Sequence, residues 1–230
     1  MMAMGYIIIN IKRKTNIQWE KYPHIRKSSE KSPLIISNHT TLCDILYTCY
    51  KYSPSFISSN HVSNMPIIGK IGQTLECVFL DRNDSKSREA ALNKIVEKVS
   101  SIQKSTRSSP LVIFPEGITG KGGVIKTFRR GAFYSLSPVT PLFMKYHAIA
   151  YESAYYFFEL LDDMVLTLSE PFQMLTVYQL PNIEPNTKSS EEYCSDVYNL
   201  YKTEFNLIPK EINLKERDKF IEEMAYQWRN

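Results

Sequence analysis

Cysteine is scarce and unpatterned: Cys43, Cys49, Cys77 and Cys194 are the four in 230 residues, and no two form a C-x-x-C pair. That spacing excludes a disulfide framework and fits a reducing, cytosol-facing setting. A long apolar run is lacking too. The amino-terminal stretch from Met1 to Ile9 covers nine residues, well short of the roughly 20 that span a bilayer. It has neither the basic flank nor the small-residue cleavage site of a signal peptide, which leaves a strand, a membrane-surface segment or the remnant of a longer element. A strong charge excess is missing as well. Lys and Arg number 28 against 24 Asp and Glu, a formal +4, which excludes a polybasic nucleic-acid tail and an acidic solvating chain. No internal repeat or low-complexity tract interrupts the sequence.

What is present is a globular composition, 43% hydrophobic and 23% charged, in a chain long enough to bury roughly 70% of its unfolded surface without a metal or disulfide. The small net charge hides a lopsided distribution. Residues 1–31 carry +5, residues 118–150 carry +5 with no acid at all, and residues 151–230 carry −8. The expected organisation is a basic segment over 1–30, one domain over 31–210 and a carboxyl-terminal helix over 211–230.

Short β-prone runs alternate with helical stripes. Leu34-Ile35-Ile36 precedes Leu42, Ile45, Leu46 and Cys49 at helical spacing; Cys77-Val78-Phe79-Leu80 precedes Leu92, Ile95, Val96, Val99 and Ile102; then comes Leu111-Val112-Ile113-Phe114. This rhythm predicts an α/β fold, a central mostly parallel sheet flanked by helices, with functional residues just past the carboxyl ends of the strands. Further strands are expected at Val139 to Met144, Val165 to Leu168 and Thr176 to Leu180. Helices are expected to start near Ser189-x-x-Glu192 and Asn213-x-x-Glu216, at or near capping-box spacing.

Polar groups cluster after the strands. In Ser37-Asn38-His39-Thr40-Thr41-Leu42-Cys43-Asp44 a histidine leaves the strand and an aspartate follows five positions later, within reach of the imidazole. A carboxylate on one ring nitrogen leaves the other free as a base, the logic of a Ser-His-Asp triad without the serine. Thr41-x-x-Asp44 is equally a helix-capping signature. The loop Pro115-Glu116-Gly117-Ile118-Thr119-Gly120-Lys121-Gly122-Gly123 is not a P-loop, because proline occupies the first glycine position and Gly122 follows the lysine. Lys121, Lys126, Arg129 and Arg130 predict a dense positive surface on the same side as His39, suited to phosphate groups or anionic headgroups. His24, His61 and His147 lack motif context and read as structural or solvent-facing. The aromatic run Tyr155-Tyr156-Phe157-Phe158 reads as core plus surface, or as an interfacial lipid contact. Trp228 falls on a stripe with Phe220, Ile221 and Met224, read as helix packing.

Four ordered blocks between residues 34 and 146, SNHTTLCDIL, VFLDR, VIFPEGITG with FRRGAF, and VTPLFMKY, together resemble the glycerolipid acyltransferase family. The likeness is greatest to its lysophosphatidylcholine and glycerol-3-phosphate acyltransferase branch. The resemblance implies that fold; family members usually carry a hydrophobic helical segment before the histidine block, whereas the 38 residues that precede His39 here hold no expected spanning helix. It also implies transfer of a fatty acyl group from acyl-CoA to the free hydroxyl of a lysophospholipid or 1-acylglycerol-3-phosphate. His39 would be the general base and Asp44 its partner. A thiol leaving group of pKa about 8.5 departs readily, so no nucleophile elbow is needed, and no Gly-x-Ser-x-Gly occurs. Arg82, Phe114, Pro115, Glu116, Gly117 and Thr119 would bind the acceptor's phosphate and glycerol, with Glu116 orienting Arg82 or accepting from a glycerol hydroxyl. Ile118 stands where the family commonly has threonine, and Thr119 follows it. Val139 and Pro141 would line the acyl-CoA side, although Pro141 also reads as a strand-edge proline. Acyl-CoA is implied as co-substrate, with no tightly bound cofactor, no metal and no nucleic acid. The partners implied are the lipid substrates and a membrane surface, on the cytosolic face of the endoplasmic reticulum. Two rival readings use the same residues: a CoA-independent phospholipid transacylase, and a catalytically silent lipid-binding module in which His39 and Asp44 only cap a helix.

Overall fold

In the computed structural model the described residues are 6–59, 63–64, 68–80, 85–105, 108–120, 122–148, 165, 169–170 and 172–211. The chain runs β1 (Tyr6–Arg13), β2 (Ile25–Lys27), β3 (Leu34–Ser37), α1 (Leu42–Tyr52), β4 (Ser55–Ser59), α2 (Ile68–Thr74), β5 (Val78–Leu80), α3 (Ser85–Lys104) and β6 (Leu111–Ile113). It continues through β7 (Val124–Ile125), a 3-10 turn (Arg130–Phe133), β8 (Val139–Ala148), β9 (Phe172–Gln179), β10 (Ile183–Pro185), α4 (Ser190–Glu204) and β11 (Ile208–Pro209).

β3 and β6 are buried at every position, the mark of strands covered on both faces. Alternate residues go to opposite layers. Leu34, Ile36, Leu111 and Ile113 pack with Ile95 and Val99 of α3 and with Val197 and Leu200 of α4. Ile35 and Val112 pack on the other side with Tyr47 of α1 and Phe56. The main sheet has the order β1-β9-β8-β3-β6-β4-β5. Its five strands from β8 to β5 are parallel to one another, as the strand-helix rhythm predicts. β9 is antiparallel to β8, and β1 runs parallel to β9 along the edge.

The connection after β3 moves toward β4 across the α1 layer, whereas the connection after β6 moves toward β8 across the layer holding Phe128 and Phe133. Chain segments leaving two neighbouring strands toward opposite faces open a crevice at their carboxyl ends, the usual ligand position in such sheets. Because Ile36 pairs with Ile113, His39 and Glu116, each three residues further on, emerge level with one another.

Several expectations change. β4, with sequence Ser-Phe-Ile-Ser-Ser, is a strand that the apolar pattern does not signal. The strand from Val139 continues to Ala148 and the one at Thr176 begins at Phe172. Val165 is helical, and residues 166–168 of the expected strand lie outside the described residues. The helix expected near Asn213, the aromatic run 155–158, the stripe ending at Trp228, and His61 also lie outside them. α4 begins as expected, with the Ser189 hydroxyl accepting from the Glu192 amide at 3.3 Å. No helix among the described residues is long and apolar enough to cross a membrane.

Candidate active site

The site begins where β3 stops pairing. Asn38, buried at the end of β3, uses its carboxamide as a substitute peptide: its Nδ2 donates to the Met144 carbonyl at 2.9 Å, and the Met144 amide donates to its Oδ1 at 2.8 Å. The β3/β8 ladder is thereby prolonged by a side chain while the backbone turns away toward α1. Tyr201 of α4 fixes the same junction from below, its hydroxyl donating to the carbonyls of Ile36 and Leu142 at 3.0 and 2.8 Å.

His39 follows, and its Nδ1 lies 2.9 Å from Asp44 Oδ2. Asp44 is completely buried, which an ionised carboxylate tolerates only when its lone pairs are satisfied. They are. Oδ2 also accepts from the Thr40 and Thr41 amides at 2.6 and 3.0 Å, and Oδ1 accepts from the Tyr146 hydroxyl at 2.7 Å. The capping and dyad readings of Thr41-x-x-Asp44 therefore describe a single geometry, in which one carboxylate starts helix α1 and holds the imidazole. The His39 ring stacks on Phe114, with centroids 4.1 Å apart and planes 16° from parallel.

Phe114 opens the second loop, which packs against the first through backbone groups. The Gly120 amide donates to the His39 carbonyl at 2.7 Å, and the His39 amide points to Glu116 Oε1 at 3.4 Å. Glu116 is buried and accepts from the Lys126 amide at 3.1 Å. Its carboxylate thus ties the two loops together, while its expected partner Arg82 lies outside the described residues. Burial pushes the Glu116 carboxyl up to about 7, against the lowering effects of the Lys126 amide and ammonium. Gly117 has φ +74, and a Cβ there would sit 2.5 Å from Arg129 Nε. Glycine is required twice over, for the backbone and for the arginine lying across it. Thr119 is buried, and its carbonyl accepts from Lys126 Nζ.

Among the described residues the expected positive surface keeps the exposed Arg129 and Arg130 but not Lys126. Lys126 is only 4% exposed and turned inward, Arg130 pairs with Glu191 at the start of α4, and Lys121 lies outside the described residues. Arg129 is the described member of that run whose side chain reaches the Glu116-Gly117 loop. Arg82 lies outside the described residues as well.

The structure brings His39, Asp44, Phe114, Pro115, Glu116, Gly117 and Thr119 together, and separates Val139 from them. Val139 is fully buried at the start of β8, opposite Leu34, at the far end of β3 from His39. It belongs to the core. Pro141 is opposite Ile36 in an interior strand, not at an edge. Its missing N–H is tolerated where the neighbour of β8 changes, since Val139 pairs with Ile183 of β10 and Leu142 with Gln179 of β9. Asn38 and Tyr146 are the site residues that motif reading misses. Both stand inside the blocks SNHTTLCDIL and VTPLFMKY, and no local spacing announces that they meet. A 610 Å³ groove between β5 and α3, lined in part by Cys77, Phe79 and Lys98, contains none of these residues.

The Acyltransferase family profile matches residues 9–145, more than half of the chain. The chain belongs to the Acyltransferase family. Among curated acyltransferases it is 31% identical over 196 residues to lysophospholipid acyltransferase LPEAT1 of Arabidopsis thaliana, covering 82% of this chain and 48% of that protein. It is 26% identical over 170 residues to lysophosphatidylcholine acyltransferase 2B of Rattus norvegicus, covering 73% and 32% respectively. The chain thus spans half or less of the length of these relatives. In fold the chain is similar to the 1-acyl-sn-glycerophosphate acyltransferase PlsC of Thermotoga maritima, with a TM-score of 0.54 and 17% identity over 89% of this chain and 73% of that one.

Glu116 gives the site a pH signature. Unfolded, the carboxyl has its ordinary value near 4.5; folded, it holds its proton to about 7. Between those values the folded chain binds more protons, so this group's stabilising contribution is full below about 4.5 and is lost as the pH rises through about 7. Glu116→Gln removes the titration. The expected result is that wild-type stability falls relative to this variant by on the order of 2 kcal/mol between pH 4.5 and 7.5, read by thermal or denaturant unfolding across that range.

Proposed function

We propose that the chain is an acyl-CoA-dependent lysophospholipid acyltransferase with His39 as general base. The observation that carries this reading is the His39–Asp44 pair, seated in the crevice between β3 and β6 of an acyltransferase fold. Asp44 accepts at Nδ1, so the proton of a neutral imidazole sits there and Nε2 faces the reaction with its lone pair. The acceptor hydroxyl attacks the thioester carbonyl as Nε2 takes its proton, and the buried Asp44 carboxylate stabilises the imidazolium. A C–O bond forms, the C–S bond breaks, and the proton passes from the imidazolium to the departing thiolate. The products are the diacyl phospholipid and free CoA. Glu116 and Gly117 shape the acceptor side, with Arg82 on the phosphate, since a planar guanidinium donates two parallel hydrogen bonds to it. The same reading places the enzyme at a membrane surface on its cytosolic side, where both lipid substrates partition.

The test is thiol release from an acyl-CoA in the presence of a panel of lysophospholipids. Free CoA appearing in step with diacyl product is the expected result. Acyl transfer from an intact phospholipid with no thiol released would overturn acyl-CoA dependence, and vesicle binding with no transfer from either donor would overturn the enzyme reading.

A further inference from the structure

The side chains of β8 that face α1 are those of Leu142, Met144 and Tyr146 in turn, since strand residues alternate. The first two are core: Leu142 and Met144 pack with Ile35, Tyr47 and Val112. Tyr146 ends the row, one step past the Asn38–Met144 clasp, and there its hydroxyl reaches Asp44. We propose that Tyr146 is a positioning residue of the acyl-transfer site, acting through Asp44 by holding the carboxylate so that Oδ2 stays on the imidazole. The inference rests on the reading of His39 and Asp44 as the reacting pair.

The physical argument concerns rotation. A carboxylate held by Oδ2 alone can turn about its Cβ–Cγ bond, carrying that oxygen out of line with His39 Nδ1 and the two amides. A second hydrogen bond at Oδ1, from a residue on another element, removes that freedom. Tyr146 is anchored by the pairing of β8 with β9, where it stands opposite Leu175. Asp44, by contrast, sits in the first turn of α1. The contact thus sets the distance between the helix that carries the carboxylate and the sheet whose strand β3 leads into the histidine. Burial, and then the Asp44 charge, push the Tyr146 phenol well above its ordinary value, so it remains a donor wherever the enzyme works. A hydrogen bond to a charged acceptor is stronger than one between neutral groups; with Thr40 and Thr41 still donating to Oδ2, its loss is expected to cost about tenfold in rate.

Tyr146→Phe keeps the ring and removes the donor. The expected result is a kcat about tenfold lower with KM unchanged, together with an upfield shift of the His39 Nδ1–H proton resonance, a signature that loss of packing alone would not produce. In the Asp44→Ala background, where no carboxylate is left to hold, the same substitution should add no further loss, because the residue acts through Asp44. A Tyr146→Phe chain with wild-type kcat and an unmoved resonance would overturn the proposal, as would a full additional tenfold loss in the Asp44→Ala background. Failure of the underlying functional reading looks different: His39→Ala would then turn over like wild type, while the resonance comparison would still decide whether Tyr146 orients Asp44.

Discussion

His39→Ala is expected to lower kcat by about 10³-fold or more while leaving the chain folded. The rate loss follows from the role: a positioned general base contributes typically 10²–10⁴-fold, and water in its place has neither the orientation nor the buried carboxylate behind it. The stability argument runs through the backbone. The contacts that tie this loop down are the Gly120 amide to the His39 carbonyl, the His39 amide to Glu116, and the Thr40 and Thr41 amides to Asp44. None of these needs the imidazole. The ring contributes its stack on Phe114 and its Nδ1–H bond to Asp44, together worth about 2 kcal/mol with the two threonine amides still on the carboxylate, or roughly 4–8 °C in melting temperature for a chain of this size. Acyl transfer with circular dichroism and thermal melting on the same preparation separates the two effects. Wild-type turnover in this variant would remove His39 from the chemistry.

The parts of the fold that rest on local pattern were legible. Leu34 to Ile36 and Leu111 to Phe114 read as parallel strands, and over Leu34–Ile36 and Leu111–Ile113 they are buried ones, because a strand covered on both faces must be apolar throughout. His39 and Asp44 were legible for the same reason: their contact is closed within one loop and one helical turn. β4 was hidden because its serines break the apolar run, even though Ser55 and Phe56 are buried. The partnership of β1 with β9 was hidden by distance along the chain, Tyr6 standing opposite Phe172. Tyr146 and Asn38 belong to the same class, meeting Asp44 and Met144 across about a hundred residues. Within the basic run, Lys126 is the instructive exception. Counting charges along residues 118–150 registers Lys126 as surface charge, whereas the fold turns it inward beside the buried Glu116.

Asp44 is the residue at which stability and rate should be lost together, and two substitutions divide the effects. Asp44→Ala removes the acceptor for four donors: the imidazole, the Thr40 and Thr41 amides and the Tyr146 hydroxyl. Leaving buried donors unpaired and stripping the first turn of α1 of its cap costs about 3 kcal/mol, so the melting temperature should fall by about 10 °C. Asp44→Asn keeps one acceptor oxygen. Three of the four donors converge on the Oδ2 position, so the amide oxygen must stay there and its NH₂ must face Tyr146, whose hydroxyl turns to accept. The His39 tautomer is then preserved, and what disappears is the negative charge that stabilises the imidazolium. The expected result is near-wild-type melting with kcat down on the order of 10³-fold, less than the roughly 10⁴-fold seen where an asparagine forces the wrong tautomer. Unchanged kcat in Asp44→Asn would mean that Asp44 caps the helix and does nothing for the histidine. An equal melting loss in both variants would mean that the carboxylate's charge, and not its acceptor geometry, holds the start of α1.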